Sequence, residues 1–163
     1  MKRLILIILA SICLTGCAEE GSSDVSQNTL FNGFTDFYYT YDASTAPPHY
    51  QRYRFYVEDG KYFFYHETRE GGGWPQTEED ITVSGTVELT DEERSTFFSC
   101  LEGGTIKDPN DDLSDGDTGP WTYIYRGNGQ EEYEFPSYAA RVAFEEYCEG
   151  LAGRTLWRRQ RSL

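Results

Sequence analysis

The 163 residues carry 28 acidic and 14 basic side chains, a net charge of −14, and 16% of them are aromatic. A chain of this length suggests one domain, and an acidic surface repels phosphate backbones and anionic headgroups, which argues against nucleic acid as a partner. The 13 Tyr, 10 Phe and 3 Trp supply a core rich in rings, which suits strands better than helices.

The chain opens with Lys2 and Arg3, then an apolar run from Leu4 to Leu14 that is too short to span a bilayer, then Gly16 and Cys17. Leu14-Thr15-Gly16-Cys17 resembles the lipobox of bacterial lipoproteins at every position. That resemblance implies removal of residues 1–16 as a signal peptide and lipid, palmitate included, on Cys17. It also implies an exported protein anchored in the cell envelope. Ala18 is not the aspartate that marks inner-membrane retention, so the outer membrane is expected where the host has two. Between Cys17 and Gly153 there are 28 acidic residues against eight basic ones, a net charge near −20.

Residues 17–30 are polar and aperiodic and read as a flexible tether. Residues 31–153 read as a single α+β domain. Phe37, Tyr39 and Tyr41 alternate in a first strand, and Pro47-Pro48 breaks the chain after it. Residues 50–68 form a hairpin about Asp59-Gly60, a two-residue turn that fixes the register. Glu58 then faces Lys61, Val57 faces Tyr62, Phe55 faces Phe64, Tyr53 faces His66 and Arg52 faces Glu67. Two opposite-charge pairs lie on the polar face. A Gly71-Gly72-Gly73 loop follows and carries Trp74-Pro75. It lacks the Gly-Lys-Ser/Thr of a phosphate loop, and Trp74 is the candidate partner contact.

Ile81, Val83, Val87 and Leu89 alternate with polar residues in the next strand, where Gly85 on the inner face marks a bulge or a close helix contact. Thr90 and Glu93 form a capping box for a helix that presents Phe97, Cys100 and Leu101 and ends at Gly103-Gly104. Residues 121–135 form a second hairpin. A three-residue Gly127-Asn128-Gly129 loop is expected there, because it gathers Trp121, Tyr123, Tyr125, Tyr133 and Phe135 on one face. Ser137 caps a last helix with Ala140, Phe144, Tyr147, Cys148 and Leu151 on one side. The sum is one antiparallel sheet of about six strands with two helices packed on one face, an α+β fold. Residues 154–163 are a basic tail, expected to fray or to lie back on the acidic body.

Cys13 leaves with the signal peptide and Cys17 takes lipid. Cys100 and Cys148 remain, on the apolar faces of two helices, as a disulfide candidate in an exported protein or as two buried thiols. The two histidines, His49 and His66, have no partner at metal-ligand spacing, and no nucleophile elbow occurs. The candidate metal ligands are Asp108, Asn110, Asp112, Asp115 and Asp117. Calcium takes about six to eight oxygens, which such a loop could converge. Leu113 and Gly119 stand where an EF-hand needs Gly and Glu. The expectation is therefore a binding or accessory lipoprotein, not an enzyme, with no cofactor required. Its rivals are an inhibitor of a basic extracytoplasmic enzyme such as a lysozyme, an Asp/Glu hydrolase, and a calcium-stabilised surface protein. Its expected partners are the membrane, through Cys17, and an envelope or extracytoplasmic protein.

Overall fold

The computed structural model describes residues 32–107 and 119–160. Their order is β1 (Asp36–Thr40), β2 (Tyr53–Glu58), β3 (Lys61–Arg69), a 3-10 turn at Glu78–Asp80, β4 (Ile81–Glu88), α1 (Asp91–Cys100), β5 (Thr105–Ile106), β6 (Trp121–Arg126), β7 (Gly129–Glu134) and α2 (Tyr138–Gln160). The seven strands form one antiparallel sheet in the order β4-β3-β2-β1-β6-β7-β5, and both helices pack on one face of it. The α+β class is as expected. The extra strand is β5, two residues long, which pairs with β7.

The β2–β3 register is the one the Asp59-Gly60 turn dictates, from Glu58 opposite Lys61 to Tyr53 opposite His66. Asp59 and Gly60 both have positive φ (51° and 75°), as a hairpin turn matched to strand twist requires. The charge partners differ from expectation, one through the neighbouring β4 and one within β3 itself. Lys61 pairs with Glu88 at 3.0 Å, and Glu67 pairs with Arg69 at 2.9 Å. Arg52 instead lies over the rings of Tyr41 and Tyr53.

The second hairpin corrects the expected loop. Arg126 pairs with Gly129 and Tyr123 with Glu132 across a two-residue Gly127-Asn128 turn. Gly127 has φ +57° in the first central position, where this mirror-image turn favours glycine. The shift of register puts Ile124 and Tyr133 in the core under the helices. Trp121, Tyr123 and Tyr125 go to the opposite face with Gln130, Glu132 and Glu134.

Rings build the core. Phe37, Phe55, Phe64, Phe97 and Phe144 are all essentially inaccessible. Phe55 stacks on Phe97 of α1 at 4.1 Å, and Phe37 meets Phe97, Tyr133 and Phe144 edge-on. Each such pair is worth about 0.5–1.5 kcal/mol beyond the area it buries. Helix α1 begins with the expected capping box, Thr90 accepting from the Glu93 N–H and Glu93 accepting from the Thr90 N–H. Burial pushes the Glu93 carboxyl up, but its bonds from Thr90 and Arg154 outweigh that and hold it below the usual range. The Tyr147 hydroxyl donates to the Glu93 carbonyl and joins the two helices.

Helix α2 opens with Ser137 accepting from the Ala140 N–H, as expected. It does not stop at Gly153 but runs through the basic residues to Gln160. Two contacts explain the extension. Arg154 pairs with Glu93, and Thr155 reaches the sheet at His66 and Gly85. The Thr155 hydroxyl lies 2.8 Å from the Ala152 carbonyl, to which it donates, and 2.6 Å from His66 Nε2. His66 is thus a buried structural residue, stacked on Phe64.

Candidate binding surface

The residues that could meet a partner lie on the loop after β3 and on the sheet face away from the helices. The loop is held at its base. Glu67 and Arg69 form an ion pair whose side chains are 3% and 2% exposed. Arg69 donates to the His49 carbonyl at 2.8 Å and to the Gln76 carbonyl at 3.0 Å, and its guanidinium lies over the Tyr50 ring. Glu67 accepts from the Gln51 N–H at 2.8 Å and from the Tyr65 hydroxyl at 2.7 Å. A buried charge pair survives only when its remaining polar atoms are satisfied, as these are. The network clips two loops, residues 41–52 and 70–77, to the end of β3.

The other side of the loop is closed by Asp80. Its carboxylate accepts from the N–H and the hydroxyl of Thr77, and its carbonyl accepts from the Glu70 N–H at 2.9 Å. Between these fixed ends Trp74 projects with 68% of its surface exposed. A large apolar ring normally folds back when the chain lets it, so a Trp held outward on a pinned loop is unusual. The same segment carries Glu70, Glu78 and Glu79, all exposed, and none of the three forms a salt bridge among the described residues.

The outer sheet face carries a second set of rings. Arg54 sits between Tyr38 and Tyr65 in register, and Asp36 between Tyr125 and Tyr56. Arg54 is bonded to Asp36 at 2.7 Å through Nε and lies over the rings of Tyr38 and Tyr56. Tyr38 meets Tyr125 edge-on at 5.1 Å, and Tyr38 and Tyr123 are both buried. Burial pushes the hydroxyls of Tyr38, Tyr123 and Tyr125 up to about 12. At the centre of this face Asp36 and Arg54 neutralise each other.

A cleft of about 300 Å³ lies at the far edge of the sheet, lined in part by Lys107, Trp121, Glu132, Tyr138 and Arg141. Its cations are already engaged. Lys107 pairs with Glu132 at 3.2 Å, and Arg141 lies over the Tyr138 ring.

Cys100 and Cys148 belong to the same apolar cluster and are present as free thiols. Each fills the place of a small core residue, and burial pushes both thiols up, Cys148 strongly. Cys17 lies outside the described residues, as do Asp108, Asn110, Asp112, Asp115 and Asp117. Among the described residues no group of three His, Cys, Asp or Glu is placed to hold a metal ion, and no helix is long and apolar enough to cross a membrane. The exposure of Trp74 is signalled in the sequence by its three glycines. The Glu67–Arg69 network beneath it is not, because its partners come from three separate segments. No family model, curated protein or solved structure matches the chain.

Proposed function

We propose that this chain is an exported, lipid-anchored envelope protein that works by binding a protein partner through the Trp74 loop. The anchor rests on Leu14-Thr15-Gly16-Cys17 and the apolar run before it. The observation that carries the binding reading is Trp74, exposed on a loop whose two ends are fixed by Arg69 and Asp80. Preorganisation of this kind lowers the ordering cost of association, and exposed Trp is the side chain most enriched among residues that dominate binding energy. An enzyme as partner would make the chain an inhibitor.

Two measurements test the reading. Fractionation should find the protein with membranes and Cys17→Ser released from them. Crosslinked capture from native cells should enrich a discrete partner that Trp74→Ala loses, and equal capture by both forms would overturn the binding site.

A further inference from the structure

The charges around Trp74 narrow the chemistry of what it takes. From Glu70 to Asp80 the loop has four acids and no base. Asp80 is bonded to Thr77, but Glu70, Glu78 and Glu79 are exposed and uncompensated. The neighbouring base, Arg69, is turned inward and neutralised by Glu67. We infer that the Trp74 loop is a receptor for an arginine or lysine side chain on a basic segment of the partner, with the indole face as platform and the three glutamates as counter-charges. This rests on the binding reading above.

Indole is the best of the aromatic rings for a cation over its face. Carboxylates on the same loop strengthen the same approach, since a cation also relieves repulsion among them. A planar guanidinium suits the site better than an ammonium, because it is less tightly hydrated and stacks. An uncharged apolar partner would desolvate three carboxylates with nothing in return. An anionic lipid surface would meet them head-on. The net charge of the whole chain, −14, extends the attraction to longer range and makes encounter with a basic segment salt-dependent.

The test uses the Trp74 indole N–H resonance, assigned with Trp74→Phe, during titration with a tetra-arginine peptide and with its uncharged tetra-citrulline counterpart. Tetra-arginine should shift the resonance and tetra-citrulline should not. At low salt, Glu78→Gln with Glu79→Gln should weaken the titration by about tenfold, and about 0.15 M salt should erase most of that difference. Equal shifts with both peptides, or a titration indifferent to the two Gln substitutions, would overturn the inference. Captured partners separate this failure from failure of the binding reading. A partner lost with Trp74→Ala but held at full strength by the double Gln variant leaves Trp74 as an apolar anchor and removes the cation. A partner held equally by Trp74→Ala removes the site itself. All three positions are exposed, and unchanged circular dichroism melts would verify the fold.

Discussion

Gly85→Ala should destabilise the protein, against the general gain that alanine brings when it replaces glycine. A Cβ built at Gly85 would lie 2.7 Å from Thr155 Oγ1, 2.9 Å from Thr155 Cβ and 3.0 Å from His66 Nε2. The Thr155 hydroxyl cannot simply rotate away, since it is bonded both to His66 and to the Ala152 carbonyl. Rotation would give up two hydrogen bonds at about 1 kcal/mol each, and moving the end of α2 instead would loosen its seat on β4. Overpacking of this size costs about 1–3 kcal/mol, offset by roughly 0.4–1 kcal/mol from the less flexible unfolded chain. The expected net loss is about 1–2 kcal/mol. Urea unfolding followed by far-ultraviolet circular dichroism should show a lower midpoint with an unchanged slope. The double variant Gly85→Ala/Thr155→Gly should cost less than the two single changes together, because the clashing side chain is gone. A Gly85→Ala protein as stable as the parent, or strict additivity in the pair, would refute the reasoning.

Arg69→Ala should cost about 3–5 kcal/mol by leaving the Glu67 carboxylate buried without its cation, while Arg69→Met/Glu67→Gln should cost less than Arg69→Ala alone in the same urea experiment. Burial lifts Tyr38, Tyr53, Tyr123 and Tyr125 to about 12, with Arg54 and Arg52 opposing it at Tyr38 and Tyr53. The unfolded chain ionises its tyrosines near pH 10, so it sheds protons that the fold retains. Stability is therefore intact below about pH 10 and falls as pH rises towards about 12, and the absorbance of the buried tyrosinates should appear together with loss of dichroism. Ionisation of the whole tyrosine complement near pH 10 with the fold intact would contradict this. Cys148 is inaccessible and should resist alkylation until the chain is denatured, when Cys148 and Cys100 should both react; the mass of an internal disulfide in the native protein would contradict free thiols.

The first hairpin was legible because three signals coincided at the same residues. Asp59-Gly60 is a turn that admits one pairing, the rings alternate on both sides of it, and a slip by one residue would turn Phe55 and Phe64 outward. Thr90 with Glu93, and Ser137, were legible as caps because capping is settled within four residues. The second hairpin was not. Gly127-Asn128-Gly129 admits turns of different length, and the abundance of rings on Trp121, Tyr123 and Tyr125 pointed to the core. The helices instead cover Ile124, while Tyr123 and Tyr125 lie on the opposite face, Tyr125 against Tyr38. Gly85 was legible as a close approach, but its partner Thr155 was not, since it lies 70 residues on in a stretch whose charge suggested a frayed tail. Glu88, the partner of Lys61, is hidden likewise, because it depends on which strands become neighbours. At the candidate site, Trp74 and its glycines were visible in the sequence. The inward turn of Arg69, which leaves Glu70, Glu78 and Glu79 without a base, was not.

The most direct measurement is site-specific photocrosslinking in native cells, with the photoreactive residue placed at position 74 and, as control, at Asn128 in the exposed β6–β7 turn. Position 74 should give one discrete adduct with a protein whose contacting segment is rich in arginine or lysine, and position 128 should give none. Adducts of the same pattern from both positions, or none from position 74, would contradict a binding site at Trp74.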